Sequence, residues 1–395
     1  MKPTSLQPFP IATIPAVDAV LLALVACLMT FGWVMVASAS IEYAERMTGQ
    51  WFYYLLRHGI YLGLGLALAL AAYQMPLRYW ERLSLPLFML GIILLALIFV
   101  PGLGKEVNGS RRWINLMVIQ VQVSEWVKLF TVFYLAGFVV RRVDQVQTQL
   151  LGVVFPMGLV GVAAVLLLLE TDLGATGVVV TTALGMLFLA GARLGPFLLL
   201  LGGAAAGLVT LILFMPSRLK RVTGFLDPWQ DQYGSGFQLT HSLMAFGNGG
   251  WWGSGLGGSV EKLAYLPEAH TDFIFAVIAE ELGLVGVWLL LLVFALLLWQ
   301  VFRIGAQAER LGLRFGAFVA YGIGIWWGMQ IFVHAGVNMG LLPNKGLTLP
   351  FISYGGNSTW VSCIAVAILT RIVSETEAVR HVLTRKPIPR RRSLL

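Results

Sequence analysis

"YLPEAHTDFIFAVIAEELGLVGVWLLLLVFALLLW" occupies Tyr265–Trp299. Its apolar part continues to about residue 300, long enough at 1.5 Å per residue to cross a hydrocarbon core about 30 Å thick. Directly before that run stand Glu268, His270 and Asp272. Charges become costly as they leave water, so acids crowded at the start of a span must face protein or a wet cavity. The stretch therefore reads as a membrane-crossing helix with a polar cluster at its head.

The rest of the chain repeats the pattern. Its 395 residues are 58% hydrophobic and 12% charged, with mean hydropathy +0.81, whereas soluble domains carry about 25% charged residues. These values predict an all-α polytopic membrane protein. Ten spans are expected, near 17–40, 52–74, 84–101, 126–140, 151–169, 173–191, 197–215, 272–301, 315–340 and 358–373. The opening "MKPTSLQPFPIATIPAVDAV" lacks a strongly basic leader, and the first apolar run, Val17 to Ser40, is too long for a signal-peptide core. Cys27 and Cys363 lie in separate apolar runs and imply neither a disulfide nor a zinc site.

Ten crossings place both termini on one face. That face holds about 16 of the 27 Lys and Arg, including the tail "RKPIPRRRSLL", so it is read as cytoplasmic. The net charge of +8 is spread over loops and tail, which fits membrane lipids and not nucleic acid. The organisation is one integral membrane unit, 1–395, with a cytoplasmic tail at 1–16, a long outer loop at 217–271 and a basic cytoplasmic tail at 374–395. A second outer loop runs from Gly102 to Glu125. Long loops in a compact fold are usually functional. Within the longer one, "FQLTHSLMAFG" fits a short interfacial helix turning Phe237, Leu239, Leu243 and Phe246 to lipid or protein.

Several outer constellations carry chemistry beside a simpler role. Arg111 and Arg112 in "NGSRRWINL" suit a phosphate or pyrophosphate, or equally lipid-headgroup anchoring. Glu125 and Lys128 in "QVSEWVKL" share a helix face; a local ion pair is the default, which burial in the bundle would overturn. In "LETDLGATG", Asp172 is best read as the cap of the sixth span. "WWGSGLGGSVEKL" has dinucleotide-loop glycines but no βαβ unit, so the glycines are assigned to tight packing or close approach to a bulky ligand. "TLPFISYGGNSTW" offers small residues and hydroxyls, Ser353 among them, for helix packing or ligand lining. For Glu268, His270 and Asp272, capping of the eighth span by Thr271 or Asp272 competes with service as a base. Glu280 lies eight residues beyond Asp272, within about 80° of it around the helix. On the residues alone, an acidic outward-facing cavity serves an enzyme or a transporter.

"NGSRRWI", "SEWVKL", "DLGATG", "DPW", "GSGLGGSVEKLAYLPEAHTDFIFAVIAEELG" and "GLTLPFISYGG", in this order over about 108–356, resemble the SEDS family of bacterial membrane proteins (shape, elongation, division and sporulation), and its cell-division members most closely. The resemblance implies ten spans with cytoplasmic termini in the bacterial inner membrane, at the division septum. It implies a peptidoglycan glycosyltransferase that polymerises lipid II, the undecaprenyl-pyrophosphate-linked disaccharide pentapeptide. The family's essential acid falls on Asp272; its Glu and Lys of the fourth span fall on Glu125 and Lys128, and its Arg pair on Arg111 and Arg112. His270 is the rival base by its ordinary pKa, and the roles of His270 and Glu268 stay open. A divalent cation, Mg or Mn, is an optional helper on this reading. Partners implied are a class B penicillin-binding protein of the FtsI type and the FtsQ, FtsL and FtsB set. The alternatives are a lipid II flippase and a division scaffold. Two positions depart from the family pattern, Val123 where proline is usual and Asn357 where serine is common.

Overall fold

The computed structural model describes residues 17–384, except 108–109, 117–118, 215–218, 220–222, 235, 264–265 and 345. The tail at 1–16 and the basic stretch 385–395 lie outside the described residues. Eleven helices stand among them: α1 Ala19–Thr48, α2 Tyr53–Gln74, α3 Leu77–Leu97, α4 Val123–Thr148, α5 Leu150–Leu169, α6 Leu173–Leu189, α7 Leu194–Phe214, α8 Phe237–Gly249, α9 Ile274–Arg310, α10 Arg314–Asn338 and α11 Gly356–Thr384. Eight are long and apolar enough to cross a membrane. The two short of that measure are α6 and the apolar part of α7, Leu194–Gly207. Ten apolar helices thus stand where ten spans were expected, eight of them of full crossing length.

Helix ends follow local chemistry. Asp18 caps α1 by accepting from Leu21 N–H (2.9 Å), and the helix stops at Gly49, whose φ of 70° suits a residue without Cβ. Asp172 caps α6, accepting from Ala175 N–H at 3.0 Å, as its sequence position predicts.

The fourth span is longer than the expected 126–140, and it is the core of the bundle. α3, α5, α6, α10 and α11 all pack on α4. Of its most apolar window 89% is buried, against 17% in α2. A helix enclosed by protein has no lipid face to satisfy, so it carries Glu125 and Lys128 at the cost of hydropathy, and an apolarity reading truncates it. α2 packs on α11 and α1, α9 on α10, and α7 on α5 and α6 at the edge.

The loop Gly102–Glu125 is not irregular. It holds an antiparallel sheet of β1 Gly104–Val107, β2 Ser110–Leu116 and β3 Ile119–Gln122, with Trp113 opposite both Lys105 and Gln122. The signal was present as period-two alternation around an Asn-Gly pair. Those two residues, Asn108 and Gly109, lie outside the described ones.

The long outer loop contains the expected helix, α8, but its buried face is Thr240, Ser242, Ala245 and Gly249. The four large residues are half-buried. Small residues let α8 lie close on α9; a Cβ on Gly249 would stand 2.0 Å from Ala279 O.

α9 is broken at Gly283, where φ is 66° and ψ −171°. The following segment of the glycine-rich stretch fills the break. Ser254 and Gly255 N–H donate to the carbonyls of Glu280 and Glu281 (2.9 and 3.0 Å), while Leu284 and Val285 N–H donate to Gly250 and Trp251 (2.9 and 3.2 Å). The glycines therefore serve close backbone packing, the first of their two expected roles.

Candidate active site

Asp272 lies at the outer end of α9, on the turn just before the helix. Its backbone is held while its carboxylate is not. Asn338 Nδ2 donates to Asp272 O at 3.0 Å, and among the described residues no hydrogen bond to the carboxylate is found. The side chain is half-buried, recessed but open. Gly346 closes over it: with φ 62° and no side chain, it leaves room that a Cβ would fill to 3.3 Å from Oδ2. Burial first, and then the neighbouring Glu268 charge, push the Asp272 pKa up to about 7, with Asp172 adding to the rise and Arg112 opposing it.

The other members of the opening cluster have structural partners. Glu268 is exposed at φ 58°, and its carboxylate accepts from Thr271 Oγ1 (2.8 Å) while its carbonyl accepts from Thr271 and Phe273 N–H. Neither Thr271 nor Asp272 caps α9. His270 is buried in an aromatic box of Tyr43, Tyr54 and Tyr354, with ring centroids 5.3, 4.7 and 5.6 Å away. Burial lowers its pKa, with Glu268 opposing, so the ring is held toward neutrality. Ser353 is buried too, donating to Thr271 O (2.7 Å) and accepting from Leu349 N–H (2.8 Å). Through Ser353 and Tyr354 N–H, which donates to His270 O (3.0 Å), the 348–355 segment clamps the Asp272 turn.

Arg111 and Arg112 project from β2. Arg111 is exposed, and Arg112 ties the sheet to the α5–α6 turn by donating to Thr171 O (2.9 Å) and Glu170 O (3.3 Å). Thr171 adopts φ 62° in that turn. Glu170 is buried with neither carboxylate oxygen hydrogen-bonded among the described residues. Burial, then Asp172, push its pKa up to about 8, against the pull of Arg112.

Glu125 and Lys128 form a pair at 2.8 Å with side chains 7% and 1% exposed, beside the Trp326 ring. This burial overturns the default of a solvated local ion pair. Glu280 points away from Asp272, into the long loop, where Ser259, Val260 N–H and Glu261 N–H hold its carboxylate. Glu281 beside it pairs with Lys262 (2.6 Å) and Ser38 (2.7 Å).

Among the described residues no three His, Cys, Asp or Glu gather to hold a metal ion. That donor set does not fit a resident divalent cation. Two groups escaped the sequence reading. Arg57 is exposed near the outer end of α2 and bonds the hydroxyls of Tyr53 (2.6 Å) and Tyr61 (2.9 Å); an aromatic pattern at i±4 around an arginine was its signal. Asn338 gave none, because its partners are distant in sequence.

Residues 18–378 match the FtsW/RodA/SpoVE family model, described as cell cycle protein. The chain is 54% identical over 361 residues to a probable peptidoglycan glycosyltransferase FtsW of Methylococcus capsulatus, covering 91% of each. It is 52% identical over 345 residues to the protein of that name from Allochromatium vinosum, covering 87% of this chain and 86% of the relative. Among solved structures, a chain of a peptidoglycan synthase complex that coordinates polymerization and crosslinking superposes with a TM-score of 0.73 at 31% identity, over 91% of this chain and 98% of that one. The rod shape determining protein RodA of Thermus thermophilus gives 0.65 at 29% identity, over 91% and 97%. With the family pattern running almost end to end and relatives half identical over most of their length, this chain belongs to the FtsW/RodA/SpoVE family of cell cycle proteins.

Proposed function

We propose that the chain is a peptidoglycan glycosyltransferase of bacterial cell division, polymerising lipid II into β1,4 glycan strands at the outer face of the membrane with Asp272 as general base. One observation carries the assignment of the base: a recessed carboxylate, free of hydrogen bonds among the described residues, with its pKa raised to about 7. Such a group is ionised in useful fraction near neutrality and basic enough to accept a proton. The half-identical relatives named as glycosyltransferases support the activity.

In the proposed reaction Asp272 takes the proton from the 4-hydroxyl of the acceptor's terminal N-acetylglucosamine. That oxygen attacks the anomeric carbon of the donor's N-acetylmuramic acid, the bond to undecaprenyl pyrophosphate breaks, and the pyrophosphate leaves with the electron pair. One displacement turns the α donor bond into the β product. Arg111 and Arg112 on β2 are the cations assigned to the developing pyrophosphate charge, while Lys128, buried against Glu125, acts from within the bundle. His270 is set aside as base because its ring is enclosed by tyrosines; it packs the turn.

α6 and α7 complete ten crossings, leaving both termini cytoplasmic in an inner-membrane protein of the septum. The solved relative from a polymerization and crosslinking complex supports a class B penicillin-binding protein as partner, with FtsQ, FtsL and FtsB around the pair. Translocation of lipid II is disfavoured because a flippase needs a polar route to the inner face, whereas the polar groups near Asp272 gather at outer helix ends.

Polymerisation of lipid II by the purified full-length chain with its crosslinking partner is the test. Asp272→Asn is expected to lower the rate by about 10² to 10⁴ with thermal stability retained, and the wild-type rate should rise with pH through about 7 as Asp272 ionises. Wild-type polymerisation by the Asn variant refutes the assignment.

A further inference from the structure

The start of α9 has no side-chain cap of its own but is served by a side chain from another helix. α1 and α6 are each opened by their own aspartate, Asp18 bonding Leu21 N–H and Asp172 bonding Ala175 N–H. α9 begins after Phe273, which offers no side-chain acceptor, although Asp272 stands one residue earlier. A side-chain acceptor comes instead from another helix. Asn338, fully buried at the outer end of α10, accepts with Oδ1 at 3.1 Å from Ala276 N–H, which it shares with Phe273 O at 3.0 Å. Ala276 is the third residue of α9, the position that a cap side chain normally serves and that Ala175 occupies in α6.

The same amide donates twice, from Nδ2 to Asp272 O (3.0 Å) and to His334 O (2.8 Å). Two carbonyl partners need donors and one N–H needs an acceptor, so the orientation of the amide is determined by its surroundings. Its own carbonyl accepts from Ser242 Oγ on α8 at 2.7 Å. Asn338 thus joins α8, α9 and α10 at one point and grips the peptide carbonyl of the site acid.

We propose that Asn338 is a positioning residue that caps α9 from outside the helix and thereby keeps the Asp272 carboxylate off the helix amides and available to substrate. The reason is competition. A free carboxylate one residue before an uncapped helix end is a strong acceptor for the exposed N–H groups, which attract negative charge. With Asn338 in place Ala276 N–H has a side-chain acceptor in addition to Phe273 O, and the Asp272 carbonyl is anchored. Without it the carboxylate turns inward, as Asp172 does in α6, and becomes a weaker base. The charged groups facing Asp272 are Glu268 on its own turn, Arg112 from β2 and Asp172 from the start of α6; all three remain in place in the variants below.

The proposal rests on Asp272 being the base, and the experiment separates the two. Lipid II polymerisation by the full-length chain with its partner is followed from about pH 5.5 to 8.5, alongside thermal unfolding, for wild type, Asn338→Ala, Asn338→Asp and Asp272→Asn. Asn338→Ala is expected to move the acid limb of kcat at least about one pH unit lower and to reduce the plateau about tenfold or more, with KM nearly unchanged, because a carboxylate accepting helix amides is both acidified and misdirected. Asn338→Asp keeps the acceptor for Ala276 N–H and adds a negative charge, so its limb stays at or above the wild-type position. A lower rate with the limb unmoved in Asn338→Ala assigns Asn338 to folding alone and overturns the proposal. So does a limb below wild type in Asn338→Asp, which decides the matter if the Ala variant does not fold. Wild-type activity in Asp272→Asn instead refutes the base itself.

Discussion

Glu170 and Asp172 lie two residues apart in one turn and meet opposite fates. Asp172 bonds Ala175 N–H, while Glu170 is buried without a hydrogen bond among the described residues and is pushed up to about 8. A carboxyl raised in the fold adds full stability below its unfolded pKa and loses it as pH climbs toward the folded value, here from about 4.5 to about 8. Glu170→Gln removes that dependence. Its unfolding midpoint should gain on wild type between about pH 5 and 8, and a constant offset across that range contradicts the account. At this scale the sequence was legible where the partner is local. Asp172 announces its capping role three residues ahead of Ala175. Asp272 looked like a cap as well, and nothing nearby reveals that Asn338, 66 positions away, takes that role. His270 likewise stood as a rival base until α1, α2 and the Tyr354 segment brought three tyrosine rings around it.

Elements were read well where they meet lipid and poorly where they meet protein. α2 and α5 follow their apolar runs closely, because hydrocarbon demands hydropathy of them. α4 does not, because its neighbours shield it on all sides. The sheet was passed over for a related reason: alternation over four to seven residues is a weak signal beside apolar runs of twenty. The break in α9 was passed over as well, since a lone glycine in a helical pattern is ordinarily tolerated without a break. Its geometry leaves little latitude. A Cβ on Gly283 would meet Gly253 N at 2.4 Å and Trp251 C at 2.6 Å, both backbone atoms, at a φ of 66°. Strain at positive φ costs about 1–3 kcal/mol and overpacking about 1–3 kcal/mol more. Gly283→Ala should therefore lower the unfolding midpoint by several degrees and loosen the 250–255 segment, seen as faster hydrogen exchange at Ser254 and Gly255; an unchanged midpoint would show that the junction is pliable.

For the whole molecule the open quantity is how many times the chain crosses the bilayer. α6 has 17 residues, about 25 Å at 1.5 Å per residue, short of the hydrocarbon core but close enough for local thinning to accommodate. Both α6 and α7 crossing puts Arg193, which lies between them, on the inner side with Arg141 and Arg142. In a Cys27→Ser background, Arg193→Cys should resist an impermeant thiol reagent added from outside, while Leu256→Cys in the outer loop reacts. Labelling of both from outside excludes the ten-span arrangement.

Arg112 moors the hairpin to peptide groups. Its acceptors are the peptide oxygens of Glu170 and Thr171, which have no proton to gain in the working range and no net charge for salt to mask. The strap over the α5–α6 turn therefore keeps its acceptors at any pH, while the Glu170 carboxyl of the same turn, pushed up to about 8, is the group beside it that titrates.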